Sequence, residues 1–308
     1  MTYGLYKLRF KTGIHIGKGT LHETGFVFKA DTLFSALCIE AVKDGGDCLK
    51  ELIDATNNGD LVISDAMPFI GERYFVPKPI IHIEQKRGRT ENASGKAFKG
   101  VSYINVEDVN KYMSGEFNPD EGMRLAELGQ RSVRDVVSIR GLEESLPYRV
   151  GVFHYAKESG LYVIAGYTNE AVQKSFEKLF DAVSVVGIGG KRQSGLGKFD
   201  IERRKLTDNQ LKGLTGEFKS YMLLSAGLPE DDCMEDVLKD ASYKLSVRRG
   251  FIQSATYSND QLRKKDAYLI DTGSVVKKPF SGRVLDVSSR GSHPVYRYAK
   301  PMFLGVVE

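Results

Sequence analysis

Eleven residues, Gly187-Ile-Gly-Gly-Lys-Arg-Gln-Ser-Gly-Leu-Gly197, hold five glycines with Lys191 and Arg192 among them. Glycines let backbone N–H groups approach an anion with no side chain in between, so the run could hold phosphate. Spacing excludes two nucleotide motifs. A P-loop needs GxxxxGK[ST]; Gly190 and Gly195 have the glycine spacing, but Leu196 stands where the lysine belongs. A dinucleotide fingerprint needs GxGxxG, and after Gly187 and Gly189 the sixth position is Arg192. Both motifs also run strand, loop, helix, whereas these residues read helix, loop, strand, with no helix N-terminus aimed at a ligand. What survives is a backbone nest with two cations, which suits an extended polyphosphate such as RNA. A turn that needs glycine only for positive φ explains the run equally well.

Catalytic patterns are sparse. His15 and His22 are the one close pair of histidines, and Lys18 lies between them. A metal-free RNA-cleaving site could use a histidine as base and the lysine to stabilise the transition state. No clear second acid or base accompanies them, so His15 and Lys18 read as RNA contacts. Asp31 is explained as a helix N-cap. Asp266, Asp271 and Asp286 have no metal-ligand spacing, His293 before Pro294 reads as a turn residue, and neither GxSxG nor HExxH occurs. Cys38, Cys48 and Cys233 form no CxxC pair and no zinc pattern. No catalytic residue, metal or cofactor is expected.

The elements that must position the glycine run follow from hydrophobic period. Tyr6, Leu8 and Phe10 alternate with Lys7, Arg9 and Lys11, a strand with one apolar and one cationic face. Leu33, Leu37 and Ala41 recur at helical spacing and Gly45-Gly46 stops them. A short helix over 49–55 follows, then strands at 61–64 and 74–76. Residues 84–100 are polar and basic and read as a mobile loop; the stretch of about 84–147 reads as an insertion, with a helix at 105–112 and a strand at 136–139. Strands at 148–155 and 161–167 precede the clearest helix, where Val172, Phe176, Leu179, Phe180, Val183 and Val186 share a face. The glycine run and a strand at 198–203 close a βαββαβ order, that of a ferredoxin-like unit. Beyond a boundary within 205–216 come a strand at 218–224, an acidic helix starting at Pro229 as its first residue, and strands at 243–248, 267–271 and 295–303. The expectation is an α+β chain of two ferredoxin-like (RRM-like) domains, 1–205 and a degenerate 206–308.

The 308 residues suit two such domains. With 44 Lys and Arg against 40 Asp and Glu, the net charge of +4 proves no nucleic-acid partner, so distribution matters. Tyr243 to Glu308 carries twelve Lys or Arg and five Asp or Glu, while Pro229 to Asp240 carries six acids and Lys239. Cations on the uncovered face of a ferredoxin-like sheet could neutralise phosphates, with Arg248, Arg249 and Arg297 among them. Tyr257, Tyr268, Tyr296 and Tyr298 could stack on unpaired bases. A solvated charged face explains any single one of the lysines. The N-terminus has no signal-peptide pattern and no run reaches membrane-spanning length, so a cytoplasmic protein is expected.

Three blocks carry a resemblance. The first strand leading to Gly13-Ile-His-Ile-Gly17, then Asp31-Thr-Leu-Phe-Ser-Ala-Leu37, resembles the opening of RAMP-superfamily CRISPR proteins. The Gly187–Phe199 block resembles that superfamily's glycine-rich loop. Gly291-Ser-His-Pro-Val-Tyr-Arg-Tyr-Ala-Lys-Pro-Met-Phe303 resembles the family of fourth Csm subunits of type III-A interference complexes; 84–147 matches poorly. The resemblance implies a subunit that caps the 5′ repeat-derived tag of the guide RNA (crRNA). It also implies a bridge from the large polymerase-cyclase-like Csm subunit to the backbone Csm subunit. Carried over by position, Gly187, Gly189, Gly190, Lys191, Arg192, Gly195, Gly197, His15, Lys18 and the C-terminal arginines face the tag. The insertion takes the place of that family's thumb, making Arg131, Arg134 and Arg140 candidate contacts. An RNA-processing endonuclease of the same superfamily and a protein-only scaffold are the alternatives.

Overall fold

The computed structural model describes residues 1–81, 97–138, 146–254 and 256–307. Most of the expected mobile loop, and Arg140, lie outside the described residues.

The first strand, Thr2–Phe10, is central to the main sheet. It pairs antiparallel with Ser159–Tyr167 on one side and Phe199–Arg204 on the other. The far edge of Ser159–Tyr167 takes Met67–Ile70 and Leu61–Ile63, and the sheet continues through Arg73–Pro77 to Tyr103–Asn105. Two helices, Ala30–Asp44 and Glu170–Val186, cover one face. Tyr6 and Leu8 point into that layer with Leu33, Phe34, Leu37, Phe176, Phe180 and Val183, as the period of two in the strand and 3.6 in the helices requires. The long helix starts at Asn169, whose side chain accepts from the Val172 N–H, and ends at Gly187.

The other face was expected to be open and cationic; it is covered. Leu5, Met67, Phe69, Tyr162 and Ile164 pack against Met222, Leu224, Val275, Met302, Leu304 and Val306, and against Val101, Ile104, Val109 and Phe117. Leu5 shares this face with Lys7, and its apolar surface, with that of Met67 and Phe69, favours a covering layer over solvent. Lys7 is therefore fully buried. Its Nζ donates to the Gly71 carbonyl and the Glu72 carboxylate at 3.1 Å each, and lies 4.4 Å from the Phe69 ring centroid. Arg9 pairs with Glu202 at 3.2 Å and Lys11 with Asp200 at 2.6 Å. None of these three cations is left for a phosphate. Lys7→Ala should cost about 1–3 kcal/mol by orphaning the Gly71 carbonyl, visible in denaturant unfolding, with affinity for RNA unchanged; a selective loss of RNA affinity would return Lys7 to the interface.

The C-terminal residues form smaller sheets. Ser220–Leu223 pairs with Val275–Val276 and Phe303–Val306, Leu245–Arg248 with Ala267–Ile270, and Arg283–Asp286 with Tyr296–Ala299. The strand expected over 295–303 is thus two strands in different sheets, broken at Pro301, which has no N–H to donate. The acidic helix shrinks to Met234–Leu238, without Pro229. Acids before and within it bind cations elsewhere: Asp231 holds Arg283 at 2.7 Å and Asp236 holds Lys278 at 2.9 Å. Residues 205–216, expected as a boundary, contain a helix, Asp208–Thr215, started by a Thr207/Gln210 capping box. The region after 97 adds the short helix Val109–Met113 and the hairpin Gly129–Ser138/Leu146–Tyr155.

Candidate nucleic-acid interface

The glycine loop is built against the segment that leaves the first strand. Gly190 N–H donates to the His15 carbonyl at 2.8 Å and Gly197 N–H to the Gly13 carbonyl at 2.9 Å; Ile188 N–H closes the loop on the Gly197 carbonyl at 3.0 Å. These amides are committed to protein, which removes most of the expected nest. The glycines at 187, 189, 190 and 197 are sites of close approach: a Cβ there would lie within 2.0–2.7 Å of the Leu196 carbonyl, the His15 carbonyl, the His15 ring and the Ile188 carbonyl respectively. Gly195 differs, with open space where its Cβ would be. Lys191 adopts the left-handed conformation, φ 59° and ψ 28°, which non-glycine residues rarely take.

The hairpin forms the second wall. Val150 and Val152, with Val136 and Tyr148 partly buried beside them, pack on Leu196 of the loop. Tyr148, which sequence reading did not single out, takes the Lys191 Nζ hydrogen bond at 3.1 Å, and the ammonium lies 4.5 Å from its ring centroid. Arg192 donates to the Gln253 side chain at 2.8 Å, linking the loop to the C-terminal residues. Lys18 is exposed in the turn after Ile16, and Ile16 touches the loop at Gly189.

Carboxylate pairing separates the expected cations. Arg248 and Arg297 are withdrawn: both bind Asp31, Arg248 through Nε at 3.0 Å and Nη2 at 2.6 Å, Arg297 through Nη1 at 2.7 Å. Arg297 is 3% exposed and so cannot reach RNA without unfolding. Asp31 is correspondingly no N-cap; Lys29 holds that position and Asp31 lies inside the first turn. Burial alone would raise the Asp31 carboxyl, but the two guanidinium groups override it and hold the group below the usual carboxylate range. Burial and Arg297 together push the neighbouring Lys264 ammonium down. Arg249 is exposed and pairs with Asp266 at 2.9 Å. Arg131 Nε donates to the Thr24 carbonyl at 3.3 Å. Arg131, Lys18, Arg134, Lys191 and Arg192 have no carboxylate partner among the described residues.

His15 is 5% exposed, with Nδ1 2.7 Å from the Gly151 carbonyl, so its ring props the loop and is not open to solvent. His22 is exposed beside the middle of the hairpin, near Val133, Asp135 and Arg149. Of the tyrosines considered for stacking, Tyr257 and Tyr298 are buried, Tyr296 is half-buried, and Tyr268 is 59% exposed. Among the described residues, no group of three or more His, Cys, Asp or Glu is placed to hold a metal, the three cysteines are free, and no helix is long and apolar enough to cross a membrane.

An α+β chain of antiparallel sheets of this kind is matched in overall fold by chains of CRISPR effector complexes. The "Crystal structure of Csm3-Csm4 subcomplex in the type III-A CRISPR-Cas interference complex" contains a chain that superposes with a TM-score of 0.67 at 18% identity, over 98% of both chains. A chain of the "Csm1-Csm4 cassette in complex with AMPPNP" gives 0.59 at 19% identity, over 99% and 97%. Residues 217–306 match the family model of the CRISPR Csm4 C-terminal domain. The "CRISPR system Cms protein Csm4" of Mycobacterium tuberculosis is 34% identical over 96% of this chain and 95% of its own, and that of Streptococcus thermophilus 31% identical over 98% of each. The chain belongs to the Csm4 family of CRISPR Csm-complex subunits.

Proposed function

We propose that this chain is a non-catalytic subunit that anchors the 5′ tag of a crRNA and bridges the large Csm subunit to the backbone subunit. One observation supports the RNA contact above all: among the expected contacts that the structure describes, the cations without a carboxylate partner, Lys18, Arg131, Arg134, Lys191 and Arg192, belong to the glycine loop and the two segments packed on it, whereas Arg248, Arg249 and Arg297 are paired with Asp31 or Asp266. An unpaired surface cation can neutralise a phosphate and release its counterion; a paired one must first break its ion pair. The similar chains solved with Csm3 and with Csm1 support the bridging part. The main sheet's strand order, with helices on one face, supports a ferredoxin-like domain over 1–205, and the hairpin is the candidate thumb. The residues 206–308 are the second, degenerate unit, close to the matched 217–306.

Replacing both Lys191 and Arg192 with alanine should weaken binding of tagged RNA more than of untagged RNA. The salt dependence, the slope of log K on log salt, should shrink by about 1–2 units for two lost phosphate contacts. Titrating both RNAs at several salt concentrations is the check, and equal loss for the two would reject a tag-specific role. The non-catalytic reading is supported by the buried, carbonyl-bonded His15. Incubating the purified protein with repeat RNA in metal-free buffer should leave it intact; a discrete cut would establish the endonuclease instead.

A further inference from the structure

A cleft of about 370 Å³ lies between the hairpin and the glycine loop, lined by Phe10, Lys11, Thr12, Gly13, Arg134, His154 and Tyr155 and by 194–196. We propose that this cleft seats one nucleotide unit of the bound RNA, with its phosphate on Arg134 and its 2′-hydroxyl on His154. The proposal rests on the reading that the chain holds RNA, and it names where a single nucleotide would be read.

Size and chemistry both fit. The volume falls within the ~300–1,000 Å³ of small-ligand sites. Of the four charged or titratable side chains in the lining, Tyr155 donates its hydroxyl to the Phe26 carbonyl and Lys11 pairs with Asp200 at 2.6 Å. Arg134 is exposed and has neither an ion pair nor a hydrogen bond among the described residues. A planar guanidinium left free in a concave, polar setting matches a phosphate, which takes two parallel N–H bonds from it. His154 is half-buried and held in place: Nε2 lies 3.1 Å from the Ser132 hydroxyl, on the same strand as Arg134 and two residues before it. Its other nitrogen, Nδ1, has no partner among the described residues and lies over Gly13, where a Cβ would come within 3.0 Å of it. The missing side chain at Gly13 is what leaves that nitrogen reachable from the cleft. A 2′-hydroxyl both donates and accepts, so it can bond an imidazole nitrogen in either tautomer, and DNA lacks the group. Ser132, Arg134 and His154 alternate onto one side of the hairpin, the side that packs on Leu196, so the rigid two-stranded frame fixes their spacing.

The test pairs atomic changes in the RNA with changes in the protein, using the full-length chain in its assembled complex. A neutral methylphosphonate is placed at each linkage of the tag in turn, and a 2′-deoxy sugar at each nucleotide. One linkage should cost wild-type protein about tenfold in affinity and cost Arg134→Gln nothing further. The sugar adjoining that linkage should behave the same way, its deoxy form costing wild type several-fold and His154→Gln nothing further. Arg134→Gln changes an exposed side chain without a partner among the described residues, and His154→Gln keeps an amide that can still bond the Ser132 hydroxyl, so the complex should assemble normally. If every methylphosphonate and deoxy substitution costs the variants as much as it costs wild type, the cleft is not a nucleotide seat, although RNA binding itself stands. If wild-type complex shows no affinity for the tag at all, the RNA reading and the seat both fall.

Discussion

Asp31→Ala destabilises the protein by about 3–5 kcal/mol, because it leaves two guanidinium groups facing each other without their shared carboxylate. Asp31 is 7% exposed and Arg297 3%, so water cannot replace the lost partner without opening the contact between the first helix and the C-terminal strands. Among the described residues, Arg297 Nε and Nη2 lack acceptors, which makes the Nη1 bond to Asp31 the one tie of its guanidinium there. Chemical and thermal unfolding of the variant give the number. Arg249→Ala, which breaks the exposed pair with Asp266, is the control and should cost no more than about 1 kcal/mol. Similar losses for the two would mean that Asp31 is not the anchor of the domain contact. The carboxyl of Asp31 is held low in the folded chain, so it contributes stability at every pH above the ordinary aspartate value of about 3.9. The contribution fades as pH falls below that value towards the lower, folded one. Stability between pH 5 and 8 should therefore not depend on Asp31 titration, and acid unfolding of wild type should steepen below about pH 4.

Gly197→Ala should be the most damaging single change in the glycine loop. Gly197 has φ +79°, and an added Cβ would lie 2.0 Å from the Ile188 carbonyl oxygen, well inside van der Waals contact with backbone that cannot swing away. Strain and overpacking together amount to roughly 2–5 kcal/mol. Relief requires Gly197 to leave the Gly13 carbonyl, releasing the loop from the segment that holds His15. Gly195→Ala carries the same left-handed φ, +80°, but meets nothing within 4 Å, so only the backbone term of about 1–2 kcal/mol remains. Unfolding and tagged-RNA binding should separate the two: Gly197→Ala loses both, Gly195→Ala keeps most of its affinity. Equal, mild effects would show that docking on 13–15 is not what those glycines are for.

The sequence read well where a side-chain period decided the matter. The helix from Glu170 to Val186 and the strand after the loop sit within one or two residues of their expected places, and the first strand, read over 6–11, keeps its alternation but begins four residues earlier at Thr2. The acidic helix is shorter than expected, Met234–Leu238, and Asp231 and Asp236 stay on the surface, where they pair with Arg283 and Lys278. The open cationic face failed: period two correctly put Lys7 opposite Leu8, but whether that face meets water depends on Met222, Met302 and Leu304 more than two hundred residues on.

Composition and spacing thus determined the class of elements, the glycine-rich loop between a helix and a strand, and the exclusion of P-loop and dinucleotide chemistry. Which cations remain available was decided only in three dimensions. Arg297 and Lys191 look equivalent along the chain, yet one is folded onto Asp31 and the other onto the half-buried Tyr148. The physical reason is that an ion pair depends on distance in space, and chain connectivity says nothing about which carboxylate will come within 4 Å of which cation.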